Sequence, residues 1–127
     1  MRHIIQDLPL AVDRKVNHVH YMAVTCLVLV MNKKQSHYYW INNIDPNISF
    51  GAAIEHTNLV PSEYYSDKHI VYIVNYHKED YFLSGLNKEE ILTVHLPSIR
   101  KIFPYFNKDD IVHMFVFRNP YISPVFD

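Results

Sequence analysis

The run HVHYMAVTCLVLVM, from His18 to Met31, contains the longest apolar stretch of the chain. Its first residues alternate between polar and apolar, and from Met22 onward both faces are apolar. This pattern is typical of a strand in the middle of a sheet that is covered on both sides. The apolar part, from Tyr21 to Met31, is well short of the roughly 20 residues that span a bilayer.

Four further segments have the composition of strands, and turn signals separate them. The Asn32–Ser36 turn is short enough for the first two strands to form a hairpin, and Asp45-Pro46-Asn47 marks the next turn. A tail punctuated by Pro120 and Pro124 follows the last strand. The predicted strands are His37–Ile44, Phe50–His56, His69–Tyr76 and Ile111–Phe117.

One segment has clear helical character, over about residues 87–103. Asn87 is a suitable N-cap, and Glu90 stands three residues later, as in a capping box. Apolar residues then recur at helical spacing until Pro104 ends the helix. Pro97 lies inside this pattern, so we expect it to kink or split the helix.

The order of elements is several strands, one helix and one strand, without regular β-α-β alternation. We therefore predict a single α+β domain over residues 1–127. Its sheet is largely antiparallel or mixed, with about five to six strands. Beside the main helix, the weakly patterned N-terminal residues leave room for a short N-terminal helix.

Composition excludes several kinds of function. The formal net charge is −1, which gives no basic excess for nucleic acid. Only two glycines occur, Gly51 and Gly85. Phosphate cradles such as GxGxxG turns need several glycines close together, so no Rossmann FAD domain is expected here. The chain alone is predicted to bind no cofactor.

Cysteine and histidine usage points to a reducing setting without a metal site. Cys26 is the only cysteine, lies in an apolar run and has no neighbouring activating base, so we predict a buried, inert thiol. His18 and His20 share one strand face, but no other ligand lies close in sequence. No signal peptide is visible at the N-terminus, so a cytoplasmic location is predicted.

Two stretches, Tyr39–Asp45 and Phe50–Asn58, resemble part of the FAD-dependent oxidoreductases of the amine-oxidase and protoporphyrinogen-oxidase-like group. The likeness continues through His69–Tyr72, the Asn75-Tyr76 pair, Leu96–Phe106 and Phe117–Tyr121 with Pro124. It covers roughly residues 18–126. The resemblance implies the middle region of such a protein, the sheet domain that covers the substrate over the flavin ring.

The resemblance also suggests roles for individual residues. The candidates for the substrate side are Tyr39, Trp40, Asn58 and Tyr76, and those for a domain interface are Glu55, His56 and Arg118. Each also has a simpler interpretation. The aromatic residues favour strands and could be packing. Residues 55–58 could cap a turn, and Arg118 could be a solvated strand end.

The sequence therefore favours the substrate-binding domain of a flavin-dependent, amine-oxidase-like oxidoreductase, with no catalytic residues of its own. It would need a partner: the missing flavin-binding segment, or self-association through an apolar face. FAD is the cofactor implied for the intact family. The alternative is a non-enzymatic module that binds a small apolar ligand or a protein through an aromatic sheet face.

Overall fold

A computed structural model describes residues 9–10, 12, 19–78 and 81–125. Five strands form one antiparallel sheet in the order β2-β3-β4-β1-β5. The strands are β1 (Tyr21–Met31), β2 (Trp40–Asn42), β3 (Ala52–Glu55), β4 (His69–His77) and β5 (Ile111–Pro124), and the helix α1 spans Lys88–Ile102. The predicted α+β fold is confirmed. The predicted short N-terminal helix falls mainly on residues outside the described ones.

The long apolar strand β1 lies inside the sheet, as its sequence predicts. It pairs with β4 on one side and β5 on the other. The predicted hairpin between β1 and β2 is wrong, because β2 pairs with β3 at the far edge. The physical reason is length: β2 has 3 residues and β1 has 11, so only the longer β4 and β5 can satisfy the backbone groups of β1.

The helix α1 begins with the predicted capping box. The Asn87 side chain accepts from the Glu90 N–H, and the Glu90 carboxylate accepts from the Asn87 N–H. Ile91 and Ile99 are fully buried against the sheet. Pro97 does not split the helix, which runs unbroken to Ile102. The turns on both sides of Pro97 pack on the core, and this packing outweighs the loss of one backbone hydrogen bond.

The two faces of the sheet differ. Odd-numbered residues of β1, such as Leu27 and Leu29, are buried in the main core together with the helix. Even-numbered residues point away from the helix, because side chains alternate along a strand. A separate, smaller cluster around Ala52, Ile54 and Val74 lies on that second face.

Strand β5 is longer than predicted and continues through the proline-containing tail. Pro120 and Pro124 are tolerated there because β5 is an edge strand, where a missing backbone N–H breaks no ladder on the outer side. The pairing of β1 with β5 shifts between Met22 and Val24, where Met22 faces Ser123 and Val24 faces Asn119. This irregularity places Pro120 beside the start of β1. Within the described residues, no helix is long and apolar enough to cross a membrane.

Candidate functional site

The face of the sheet opposite α1 carries an unusual density of aromatic residues. The register places Tyr72 and Phe115 on either side of Val28, and Val74 and Phe117 on either side of Cys26. Trp40 and Ile54 extend the same face toward β2. We call this surface the open face, and define it by Trp40, Ile54, Tyr72, Tyr76, Phe115 and Phe117 around Cys26 and Val28.

The aromatic side chains of the open face remain accessible. Trp40 is 46% exposed, Tyr76 44%, Phe115 50% and Phe117 62%. Leu27, which neighbours Cys26 on the opposite face of β1, is completely buried. Single exposed apolar residues are ordinary on protein surfaces, but several on one continuous sheet face mark a binding surface.

The open face is also uncharged. Its positions on the five strands contain no Asp, Glu, Lys or Arg, and the polar residues among them, such as Asn42 and Asn119, lie toward its margins. Burial raises the pKa of the Cys26 thiol to about 11. The pKa of Tyr72 is raised as well, first by burial and then by the nearby hydroxyls of Tyr65 and Tyr39 and the Cys26 thiol. Both groups stay neutral near pH 7, and the inert thiol predicted from sequence fits this pKa.

Two of the four predicted substrate-side residues lie on the open face. Trp40 stands opposite Ile54, and its indole N–H donates to the Asn42 side-chain oxygen at 2.7 Å. Tyr76 stands opposite Val24 on β1. Tyr39 contacts the Trp40 ring edge-on, with ring centroids 6.2 Å apart. The register places Trp40 and Tyr72 on either side of Ile54, and Tyr39 lies close enough to Tyr72 to raise its pKa.

Asn58, the fourth predicted substrate-side residue, forms hydrogen bonds with backbone groups and does not line the open face. Its side-chain amide donates to the carbonyl oxygens of Ser36 and Tyr38 at 2.9 and 3.0 Å. These two bonds tie the turn after β3 to the segment that leads into β2. Asn58 therefore positions Tyr39 and Trp40 indirectly, because it holds the backbone segment that leads into them.

Glu55, a predicted interface residue, is buried in the same loop structure. It is 1% exposed, and its Oε2 accepts the backbone N–H groups of Gln35 and Ser36 at 3.0 and 2.9 Å. Burial raises the pKa of the Glu55 carboxyl, and the two N–H groups oppose part of that rise. In the free chain Glu55 is an internal clamp between β3 and the 35–36 segment, out of reach of a partner surface.

His69 lies within ion-pair distance of Glu55. Its Nδ1 is 3.8 Å from Glu55 Oε1 and 3.4 Å from the Thr57 hydroxyl. Burial, followed by the nearby Lys34 charge, lowers the pKa of His69. Since the pKa of the carboxyl is raised and that of the imidazole is lowered, both shifts favour the neutral forms.

His56 and Arg118, the other predicted interface residues, are placed apart from each other. The His56 Nε2 lies 2.7 Å from the Tyr65 hydroxyl, and its ring contacts the Tyr72 ring at 5.7 Å, at the rim of the open face. Arg118 points to the helix side of β5. Its Nη2 donates to the backbone carbonyl oxygens of Leu83 and Leu86.

The sequence interpretation missed the contribution of β5 to this site. Phe115 and Phe117 are the most exposed aromatic residues of the open face, yet the sequence pattern predicts only a strand over Ile111–Phe117. The available signal was their spacing: two phenylalanines two residues apart must share a face. Which face they share depends on the helix, which local sequence does not reveal.

Comparison with known proteins does not assign the chain to a family. No model of a protein family matches the chain, and no curated protein matches it. The resemblance to flavin-dependent oxidoreductases therefore stays a prediction. Within the described residues no three His, Cys, Asp or Glu side chains are grouped to hold a metal ion, and His18 lies outside those residues.

Proposed function

We propose that this chain is a binding domain that works through its open face. The observation that carries the proposal is the set of four half-exposed aromatic side chains on one uncharged sheet face. The opposite face is covered by α1, which packs on the core around Leu27 and Leu29, so the open face is not needed to complete that core. A surface of this composition favours a ligand or partner that is apolar or aromatic.

The expected energetics suit such a partner. An aromatic side chain presents about 150–250 Å² of surface, and burial contributes about 25 cal/mol per Å² of apolar area. Phe115 and Phe117, each at least half exposed, would each contribute roughly 2–3 kcal/mol when covered. Rigid strands hold both rings in place, so little side-chain entropy is lost on binding.

The resemblance supplies a specific version of this proposal. In it the chain is the substrate-side domain of a flavin-dependent oxidoreductase, and a flavin-binding segment is the partner. Trp40 and Tyr76 would then line the substrate, while the flavin would supply the redox chemistry and the domain would orient the substrate and exclude water. The alternative version is a non-enzymatic module that uses the same face for an apolar ligand or a protein.

The single tryptophan makes the proposal directly measurable. Trp40 is the only tryptophan of the chain and lies on the open face, so its fluorescence reports on occupancy of that face. We expect saturable changes in Trp40 emission with anilinonaphthalene sulfonate, an apolar fluorescent probe. A saturable response to the apolar probe would support a binding role for the open face in either version, and a saturable change with FAD would contradict the prediction that the chain alone binds no cofactor.

A matched pair of variants separates the open face from general surface hydrophobicity. Phe117→Ser removes a ring from the open face, and Tyr105→Ser removes one that is 96% exposed near the end of the helix. Only Phe117→Ser should weaken probe binding. Equal loss in both variants, or a strict monomer that binds neither probe nor FAD, would contradict the proposed role of this face.

A further inference from the structure

A cavity lies where the pairing of β1 with β5 is irregular, at the margin of the open face. It has a volume of about 240 Å³, and three adjacent strands contribute to its wall. Thr25 comes from β1, His77 from β4 and Arg118 from β5. The register explains this convergence, because Thr25 stands directly opposite Arg118 and diagonally across from His77.

The hydrogen bonds of His77 define its tautomer. Its Nδ1 lies 2.7 Å from the Lys78 carbonyl oxygen, which can only accept, so Nδ1 carries a hydrogen. In the neutral ring, Nε2 is then an acceptor, and the Thr25 hydroxyl at 2.8 Å donates to it. The Tyr81 ring stacks on the imidazole at 5.0 Å and fixes its plane. Thr25 and His77 are thus held as one oriented polar pair at the cavity wall.

Arg118 brings positive charge to this pair. Both of its hydrogen bonds leave from Nη2, toward Leu83 and Leu86, and within the described residues Nη1 and Nε have no hydrogen-bond partner. No carboxylate among those residues forms a salt bridge with the guanidinium. A planar guanidinium with donors to spare matches a carboxylate, which can accept two parallel N–H bonds.

The remaining wall of the cavity is apolar. Ala23, Val24 and Pro120 line it, and the irregular pairing of β1 with β5 brings Pro120 into place. Ala23 is 4% exposed and small, so its methyl group leaves the space that a larger side chain would fill. Irregularities of this kind often occur beside binding sites, where they redirect side chains.

We propose that this cavity binds a small carboxylate with an apolar body. The Arg118 guanidinium pairs with the carboxylate, and the apolar residues Ala23, Val24 and Pro120 hold the body, while the Thr25–His77 hydrogen bond only holds the cavity wall in place. Pockets for drug-sized ligands have volumes of roughly 300–1,000 Å³, so this cavity suits a smaller molecule. The cavity borders the open face through Val24 and Asn119, but its proposed ligand does not depend on the function proposed for that face.

The test uses acetate, butyrate and benzoate as probes, with benzamide as the uncharged counterpart of benzoate. Amide chemical shifts of the full chain are recorded during titration with each. We expect saturable shifts at Thr25, His77 and Arg118 with benzoate, and at least tenfold weaker binding of benzamide, because a charge-assisted pair is lost. Failure of all three carboxylates to saturate would overturn the proposal, as would equal binding of benzoate and benzamide.

Two arginine variants provide the matched control. Arg118→Gln removes the charge at the cavity, and Arg100→Gln removes an equal charge from an exposed position on α1. Only Arg118→Gln should weaken benzoate binding, by at least tenfold. If that variant disturbs the Leu83–Leu86 segment, Ala23→Val fills part of the cavity and should still weaken binding. Equal effects of the two arginine variants, or an unchanged affinity in Ala23→Val, would contradict the site.

Discussion

The Ser49 hydroxyl oxygen lies 2.8 Å from Nδ1 of His95, a contact that joins the loop before β3 to the middle of α1. The Ser49 N–H also donates to the Ser98 hydroxyl at 2.9 Å, and the Asn75 amide donates to the Ser49 carbonyl oxygen at 2.7 Å. His95 is 1% exposed. This buried network joins α1, the loop before β3 and strand β4 on the helix side of the sheet.

The stability of the protein should fall between pH 6.5 and pH 4 because of His95. Burial lowers the pKa of His95 from its ordinary 6.5 to about 4. In that window the unfolded chain binds a proton that the folded chain does not, so the free energy of unfolding decreases as the pH falls. The loss amounts to roughly 3 kcal/mol, and urea unfolding at pH 7, 5.5 and 4.5 measures it.

Two histidine variants test the assignment of this pH dependence. His95→Gln should flatten the dependence between pH 6.5 and 4, while His113→Gln, at an exposed position of β5, should leave it unchanged. A slope that persists undiminished in His95→Gln would assign the pH dependence to other groups.

Replacement of Glu55 should separate its hydrogen bonds from its charge. Glu55→Ala leaves the N–H groups of Gln35 and Ser36 without their acceptor, and we expect a loss of about 2–4 kcal/mol. Glu55→Gln keeps an acceptor oxygen and removes a charge whose ionisation burial disfavours, so its loss should be smaller. Thermal unfolding at pH 7 ranks the two, and the reverse order would contradict the clamp.

The capping box of α1 should be worth about 1 kcal/mol. Asn87→Ala removes the acceptor for the Glu90 N–H, whereas Asn87→Asp keeps one and adds a negative charge at the positive end of the helix dipole. We expect a melting temperature several degrees lower for the alanine variant and no loss for the aspartate variant. Equal melting temperatures for the wild type and Asn87→Ala would show that the cap contributes nothing.

The Cys26 thiol should react slowly with a disulfide reagent at pH 8. Its pKa of about 11 leaves little thiolate at that pH, and the thiolate is the reactive form. In urea the ordinary pKa returns and the reaction should become much faster. Reaction at the same rate in both conditions would mean that the open face does not shield the thiol. Apolar probes that bind the open face should slow the folded-state reaction further.

Local sequence determined the elements of this protein better than their arrangement. The apolar run from Tyr21 to Met31 specified an interior strand because only a strand with neighbours on both sides buries so many apolar residues. Asn87 and Glu90 specified the start of the helix because capping depends only on residues three apart. These signals are short-range, so the sequence carries them directly.

Tertiary structure decided the pairing of β1 with β4 and β5, since hydrogen-bond partners far apart in the chain leave no local pattern. It also decided that α1 continues through Pro97, because packing energy outweighed local preference. Above all, α1 covers one face of the sheet and leaves Phe117 on the other accessible. The alternation of side chains along each strand gives the sheet two apolar faces, and the packing of α1 on one of them determines that the other stays accessible.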